Sequence, residues 1–414
     1  MSLTILTKPT LQAKSHSKSI NPSLKQISLA LRRLGDPQNT FKSIHVVGTN
    51  GKGSVTTFLE LLYLHFGFGK VGKYISPHLV SFTERISVNG KDIIVEEFDA
   101  LRDELFSENG VFNPYNHGLL TPFEKLTLIA FEYFRREGIE VAILEAGLGA
   151  RWDATNTTAS ENRLATVLTN VGWDHTDYLG SSLTQIRAEK EAIKRDGVPH
   201  YEGESSVWHE NGSVIASGAK QSTPPEATIL DYDPNSLEGS NFLLALRVFE
   251  DLTKIKVSDS DKIAILTKFK DRYKGRFSYD VDAGILVDGA HNAHGAKVLN
   301  AYMQKHELNQ VRKIFVLAFL DKDIEEIITE LFAGVFDSAR DLVICTQVDS
   351  DRATSAEELS GIIAGNFFGV KIIVEANPGE AFKRANKLKK SDDLLVITGS
   401  LYLLGEYYSN QLYS

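Results

Sequence analysis

The chain has 414 residues, 42% of them hydrophobic, and a formal net charge of −9. That length predicts two domains, and the acidic balance argues against nucleic acid as the main partner. No apolar run reaches the ~20 residues that span a bilayer, and the lone Cys345 excludes an internal disulfide and fits a reducing, cytoplasmic setting.

Residues 1–35 contain no acid and carry Lys8, Lys14, Lys18, Lys25, Arg32 and Arg33. A transit peptide has this composition, but the apolar core of a signal peptide is absent. Leu24, Ile27, Leu29, Ala30 and Leu34 have helical spacing, so a short basic tail and then a helix are expected. A β-rich run over 43–47 ends at Gly48, and a helix is expected over 52–66, stopping at Gly67. Residues 71–76 read as a strand ended by Pro77. Asn89-Gly90 between 86–88 and 93–94 signals a hairpin, with a helix over 95–106 after it.

Residues 107–120 read as a loop. Thr121-Pro122-Phe123-Glu124 has the form of a helix start, with a hydroxyl cap, proline at the first position and glutamate three residues on. The apolar runs 139–144, ending in Glu145, and 164–171 read as strands buried on both faces. A helix over 182–194 opens with Ser182 and Gln185 as a capping pair. The stretch 197–240 carries no assignable pattern, and 241–252 is helical again.

Residues 272–276 read as a hinge. Strands follow at 284–287, 313–319, 341–346, 370–374 and 394–397 with helical runs between them, which favours a parallel or mixed sheet covered on both faces. The predicted fold class is α/β, with a domain over 1–272 built on a mostly parallel sheet and a smaller α/β domain over 277–414. No internal repeat is visible.

The strongest chemical signal is Gly48-Thr49-Asn50-Gly51-Lys52-Gly53-Ser54, set between a strand and a helix. Glycines there let backbone N–H groups approach phosphate oxygens, and the helix dipole adds positive potential. Lys52 would neutralise the terminal phosphates. The usual P-loop has four residues between its first glycine and the Gly-Lys pair, whereas two stand here. A purely structural turn is the alternative.

Ligands of a parallel sheet collect beyond the carboxyl ends of its strands. Ser76, Glu145 followed by Gly147-Leu148-Gly149, and Asp174-His175 all fall at such ends. Their oxygen and imidazole donors suit Mg²⁺ held against ATP phosphates. Each has a plainer reading: a turn serine, a loop carboxylate, a structural histidine. Lys190, between Glu189 and Glu191, reads as a solvated surface lysine. Arg276 and Asp288-Gly289-Ala290-His291-Asn292 sit where contacts would reach a nucleotide, or where an ordinary turn would lie.

Together these residues resemble the folylpolyglutamate synthase/dihydrofolate synthase family of the wider Mur ligase group. The further signatures are Ser76-Pro77-His78, Leu144-Glu145-Ala146-Gly147-Leu148-Gly149, Asp153-Ala154-Thr155-Asn156, Asp174-His175-Thr176, Glu189-Lys190, Gly275-Arg276 and Gly399-Ser400. The resemblance implies a P-loop domain like the central domain of Mur ligases, followed by a Rossmann-like domain. It implies an ATP-dependent ligase that joins L-glutamate to dihydropteroate or folates through an acyl phosphate. Asn50, Gly51, Lys52, Gly53, Ser54, Asn241, Arg276 and Asp288 would bind ATP.

By the same resemblance Ser76, Glu145, His175 and Lys190 would hold two Mg²⁺ ions, Lys190 as a carbamate. Lys52, His175 and Lys190 would be catalytic, and Phe123, Glu124, Lys125, Leu126, Trp152, Asp153 and Ala154 would line the pterin side. Ile20-Asn21-Pro22 lies where bifunctional members contact dihydropteroate. Ala150 stands for a usual glycine, Trp152 for an aliphatic residue and Ala293 for a proline. Many relatives are monomers. The alternatives are a Mur-type peptidoglycan ligase, which needs a nucleotide-sugar domain before the P-loop, and a P-loop ATPase without ligase activity.

Overall fold

The computed structural model describes residues 23–112, 120–173, 175–203, 237–320 and 323–412. Expectations placed on Lys8, Lys14, Lys18, Ile20-Asn21-Pro22, Asp174 and much of 197–240 lie outside the described residues. The chain divides into two compact units. One takes residues up to Pro77 and Thr83–Ile265, the other His78–Phe82 and residues from Leu266 on.

In the first unit helix α1 (Lys25–Arg33) buries Ile27, Ala30 and Leu31, while Leu29, expected on that face, is exposed. Strand β1 (Lys42–Val47) feeds α2 (Lys52–His65), β2 (Val71–Tyr74) and the hairpin β3 (Ile86–Val88)–β4 (Lys91–Asp92). Asn89 and Gly90 take φ of 49° and 76°, the left-handed turn that Asn-Gly favours. The returning strand is 91–92 rather than the expected 93–94.

Helix α3 (Val95–Phe106) precedes α4 (Pro122–Glu137), which opens with the expected reciprocal cap. The Glu124 N–H donates to Thr121 Oγ1 (3.2 Å) and the Thr121 N–H to Glu124 Oε2 (2.7 Å). Then come β5 (Val141–Glu145), β6 (Arg163–Leu168), α5 (Thr176–Leu179), α6 (Leu183–Glu191), β7 (His200–Glu202) and α7 (Leu237–Thr253). Strand β7 was not expected; three residues are too few to show a period.

The sheet order is β4-β3-β2-β5-β1-β6-β7, parallel from β2 to β7 and antiparallel in the hairpin. Central β1 pairs Val46 with Glu145 on one side and Val47 with Leu168 on the other. Behind it, Glu60 of α2 and Lys73 of β2 form a buried pair (2.8 Å), and Ser87 Oγ donates to Glu60 Oε1 (3.0 Å). These bonds offset the cost of burying both charges and tie the helix after β1 to the neighbouring strands.

Helix α8 (Asp259–Arg272) begins in the first unit and ends in the second. The second unit holds β8 (Ser278–Asp280), β9 (Ile285–Val287), β10 (Lys313–Leu317), β11 (Leu342–Cys345), β12 (Lys371–Val374) and β13 (Leu394–Thr398). Their order is β12-β11-β10-β13-β9-β8, parallel except for β8.

Side chains alternate strictly across this sheet. Phe315, Leu317, Val343 and Cys345 enter one core with helices α9 (Ala293–Lys305), α10 (Ile324–Phe332) and α11 (Ala356–Asn366). Ile314, Val316, Leu342 and Ile344 enter the other with α12 (Pro378–Leu388) and α13 (Leu401–Leu412). Both faces are therefore covered, as near-continuous apolar strands require. Leu79 packs on the second core, and a Cβ at Gly405 would stand 2.2 Å from its carbonyl oxygen, a close approach that only glycine permits. Among the described residues no helix is long and apolar enough to cross a membrane.

Candidate active site

Parallel β2, β5, β1 and β6 bring their carboxyl ends to one rim, where an open α/β sheet gathers ligands. The segment between β1 and α2 is laced to the chain leaving β6. The Thr49 N–H donates to the Asn170 carbonyl (3.0 Å), the Asn50 N–H to Asn170 Oδ1 (2.9 Å) and Thr169 Oγ1 to the Asn50 carbonyl (2.6 Å). Thr49 Oγ1 accepts from the Gly172 N–H (2.9 Å). A Cβ at Gly48 would lie 1.8 Å from Thr169 Oγ1, so the approach requires glycine.

Gly51 takes φ +80° at the start of α2, and the first intrahelical bond runs from the Val55 N–H to its carbonyl. The N–H groups of Lys52, Gly53 and Ser54 thus lack intrahelical acceptors, the arrangement that receives anions. A Cβ on Gly51 would stand 2.5 Å from Asn241 Oδ1, which places the buried Asn241 amide of α7 against the loop.

Two lysines converge on one oxygen. Lys52 Nζ donates to the carbonyls of Gly48 (3.1 Å) and Thr49 (3.1 Å), and Lys190 Nζ donates to the same Gly48 carbonyl (3.0 Å). Lys190 is 2% exposed, contrary to the surface reading of its Glu-Lys-Glu setting. It shares the buried face of α6 with Leu183 and Ile186, at helical spacing from both.

Glu145 ends β5 and is 4% exposed, held in register by the Ala146 N–H to Val46 carbonyl bond (2.9 Å). Ser76 follows β2 at the cis Ser76–Pro77 bond and is partly buried. His175, exposed and at φ 48°, starts α5 beyond β6. All three leave strands on the rim that carries the Gly48–Lys52 turn.

The residues expected on the pterin side divide. Phe123 stacks near Tyr74 (centroids 6.0 Å apart) and fills the space a Cβ at Gly147 would need (2.7 Å). Trp152 is 49% exposed. Leu126, Asp153 and Ala154 are buried, the Glu124 carboxylate is taken by its own helix cap, and Lys125 Nζ lies 5.7 Å over the Phe106 ring. The turn 147–152 is clamped beside Lys190: a Cβ at Gly149 would meet Leu179, and Arg151 Nε donates to Glu189 Oε1 (2.9 Å).

In the second unit Arg276 and Asp288 are brought together. Asp288 Oδ1 accepts from the Ala290 N–H (2.9 Å) and Oδ2 from the Phe277 N–H (2.9 Å). Burial pushes its carboxyl above the usual range, while the Arg276 charge and those two bonds pull it down. Asn292 caps α9 by accepting from the Gly295 N–H (2.7 Å).

Sequence reasoning missed Thr169 and Asn170, which brace the Gly48–Lys52 turn. The available signal was Asn170 directly after a buried apolar strand, a place where a polar group needs a partner. It also missed His45.

Dihydrofolate synthase/folylpolyglutamate synthase of Escherichia coli strain K12 is 30% identical to this chain, covering 94% of it and 90% of the relative. The chain belongs to that family. The pattern described as dihydrofolate synthetase, C-terminal domain, matches residues 277–410. The structure of Escherichia coli FolC in complex with DHPP and ADP is 27% identical with a TM-score of 0.76, covering 96% of each chain. The Yersinia pestis bifunctional folylpolyglutamate synthase/dihydrofolate synthase complexed with AMPPNP and a Mn ion is 26% identical with a TM-score of 0.73, over 96% of this chain and 95% of that one. The two mostly parallel sheets are thus those of the family fold. The chain is an ATP-dependent ligase, and the peptidoglycan-ligase and switch-ATPase alternatives fall.

Proposed function

We propose that this ligase joins L-glutamate to dihydropteroate, to the glutamate tail of tetrahydrofolates, or to both, by way of an acyl phosphate. The observation that supports this reading most is the sharing of the Gly48 carbonyl by Lys52 and Lys190. It sets a phosphate-neutralising cation and a modifiable amine side by side at the phosphate loop.

An amide does not form at useful rates from a free carboxylate and an amine. In the proposed sequence a carboxylate oxygen of the acceptor attacks the γ-phosphorus of ATP and ADP leaves. The α-amine of glutamate then attacks the acyl carbon, loses a proton and expels phosphate. The N–H groups of Lys52, Gly53 and Ser54 bind phosphate oxygens, and the Lys52 ammonium turns from its two carbonyl acceptors to the transferring group. Asn241 of α7 completes the nucleotide's contacts within the first unit, and Arg276 and Asp288 are the second unit's candidates for nucleotide binding. Phe123 and Trp152 offer aromatic surface to the acceptor ring.

Ser76, Glu145 and His175 make a hard oxygen-and-imidazole set that suits Mg²⁺. Among the described residues no three of His, Cys, Asp and Glu group as a metal site. A serine hydroxyl, Ser76, and a carbamate on Lys190 would complete the set. Two Mg²⁺ ions there would neutralise the phosphate charge. A carbamylated Lys190 keeps one N–H for Gly48 while adding an anionic carboxylate group. We place the protein in the cytoplasm, where a free buried thiol such as Cys345 persists, and carry the monomeric state over from the family resemblance.

A coupled assay tests the reading. With ATP, Mg²⁺ and L-glutamate, ADP release is expected only when dihydropteroate or tetrahydrofolate is present, in step with a product one glutamate longer. ATP turnover indifferent to acceptor and glutamate would refute it.

A further inference from the structure

His45, in the middle of central strand β1, is fully buried and takes no part in the chemistry above. A buried imidazole between apolar neighbours costs free energy unless its polar atoms are used. Its Nε2 lies 2.6 Å from Thr155 Oγ1, and Thr155 Oγ1 lies 2.5 Å from Asp153 Oδ1. Asp153 Oδ1 also accepts from the Thr155 N–H (3.0 Å), and Oδ2 accepts from the N–H groups of Gly147 (2.8 Å) and Leu148 (3.0 Å).

The direction of this chain of bonds follows from counting protons. Every partner around the Asp153 carboxylate is a donor, so its four lone-pair sites are filled and it acts as an acceptor throughout. The Thr155 hydroxyl proton is therefore given to Asp153, and its oxygen must accept from His45 Nε2–H. The opposite order would leave a proton on His45 Nδ1, which has no hydrogen-bond partner. A buried orphan N–H is costlier than a buried unused lone pair. Burial, with Arg163 and Arg195 nearby, holds the imidazole well below its usual range and hence neutral.

We propose that His45 is a positioning residue: through Thr155 and Asp153 it fixes the Gly147-Leu148 turn, against which the Phe123 ring packs at Gly147 and which leads on into Trp152. Asp153 then serves the acceptor site by shaping its wall, with its carboxylate fully spent on the protein. The kinetic part of this inference rests on the folate reading; the structural part does not.

Thr155→Val removes the hydroxyl and keeps the shape, while Thr155→Ser restores it. Thr158→Val is the control. Its hydroxyl lies in the same buried layer, accepting from Arg163 Nη2 (2.7 Å), but outside the chain to Gly147. Thr155→Val is expected to raise the KM for the pterin acceptor about tenfold and leave that for ATP within about twofold. Amide exchange at Gly147 and Leu148 should quicken about tenfold. Thr155→Ser should stay near the parent in both, and Thr158→Val should lower the Tm without raising the acceptor KM. Unchanged exchange at Gly147 and Leu148 in Thr155→Val overturns the proposal. So does an equal rise of acceptor KM in Thr158→Val. Should the parent enzyme add glutamate to no folate, the assigned function fails, and the exchange measurement alone decides this inference.

Discussion

Lys190→Ala is expected to lower glutamate addition by at least about a hundredfold while the Kd for ATP stays within about threefold, the loss typical of removing preorganised charge from a transfer site. The amine is buried and donates to the Gly48 carbonyl, so on the proposed mechanism its removal changes what faces the reacting groups more than what grips the nucleotide. Lys190→Arg separates the roles. It keeps a cation but cannot form a carbamate, so it should be as inactive as the alanine variant. Formate or acetate, small enough to enter the hole left in Lys190→Ala, should restore part of the rate by supplying an anionic oxygen. Near-parental turnover in Lys190→Arg would remove the carbamate from the scheme.

Gly51→Ala should cost nucleotide binding, for two additive reasons. A φ of +80° costs about 1 kcal/mol for a residue with a Cβ. That Cβ would also lie 2.5 to 2.9 Å from three atoms of the Asn241 amide, which is buried and has little room to retreat. The loop or α7 must shift, and ATP affinity should fall about tenfold or more while the Tm moves only a few degrees. Calorimetric titration with ATP reads this directly. Unchanged affinity would make Gly51 an ordinary turn glycine.

The turn from β1 into α2 was legible because its physics is local. A buried strand, a glycine turn and a lysine at a helix start are adjacent in sequence, and Thr121–Glu124 announced its helix in the same way. Lys190 was less legible from its neighbours. Glu189 and Glu191 suggested solvent, whereas Leu183 and Ile186 at helical spacing put position 190 on the buried side.

The pterin-side motif shows another limit. Asp153-Ala154-Thr155-Asn156 reads as a row of ligands, yet Asp153 and Thr155 point at the protein's own backbone and at His45, and Asn156 accepts from Arg163 (3.0 Å) and Arg195 (2.7 Å). Of these partners His45 and Arg195 lie far off in sequence, so no spacing rule reveals them. His45 alone gave a hint, as an imidazole between Ile44 and Val46 in a buried strand.

All of this depends on a carboxylate being phosphorylated at the Gly48–Lys52 turn before the amine arrives. The direct measurement is to label both carboxylate oxygens of the acceptor with a heavy isotope and weigh the phosphate released during glutamate addition. Transfer of one labelled oxygen to each phosphate is the predicted result. Phosphate that carries no label while the amide product forms would contradict the account.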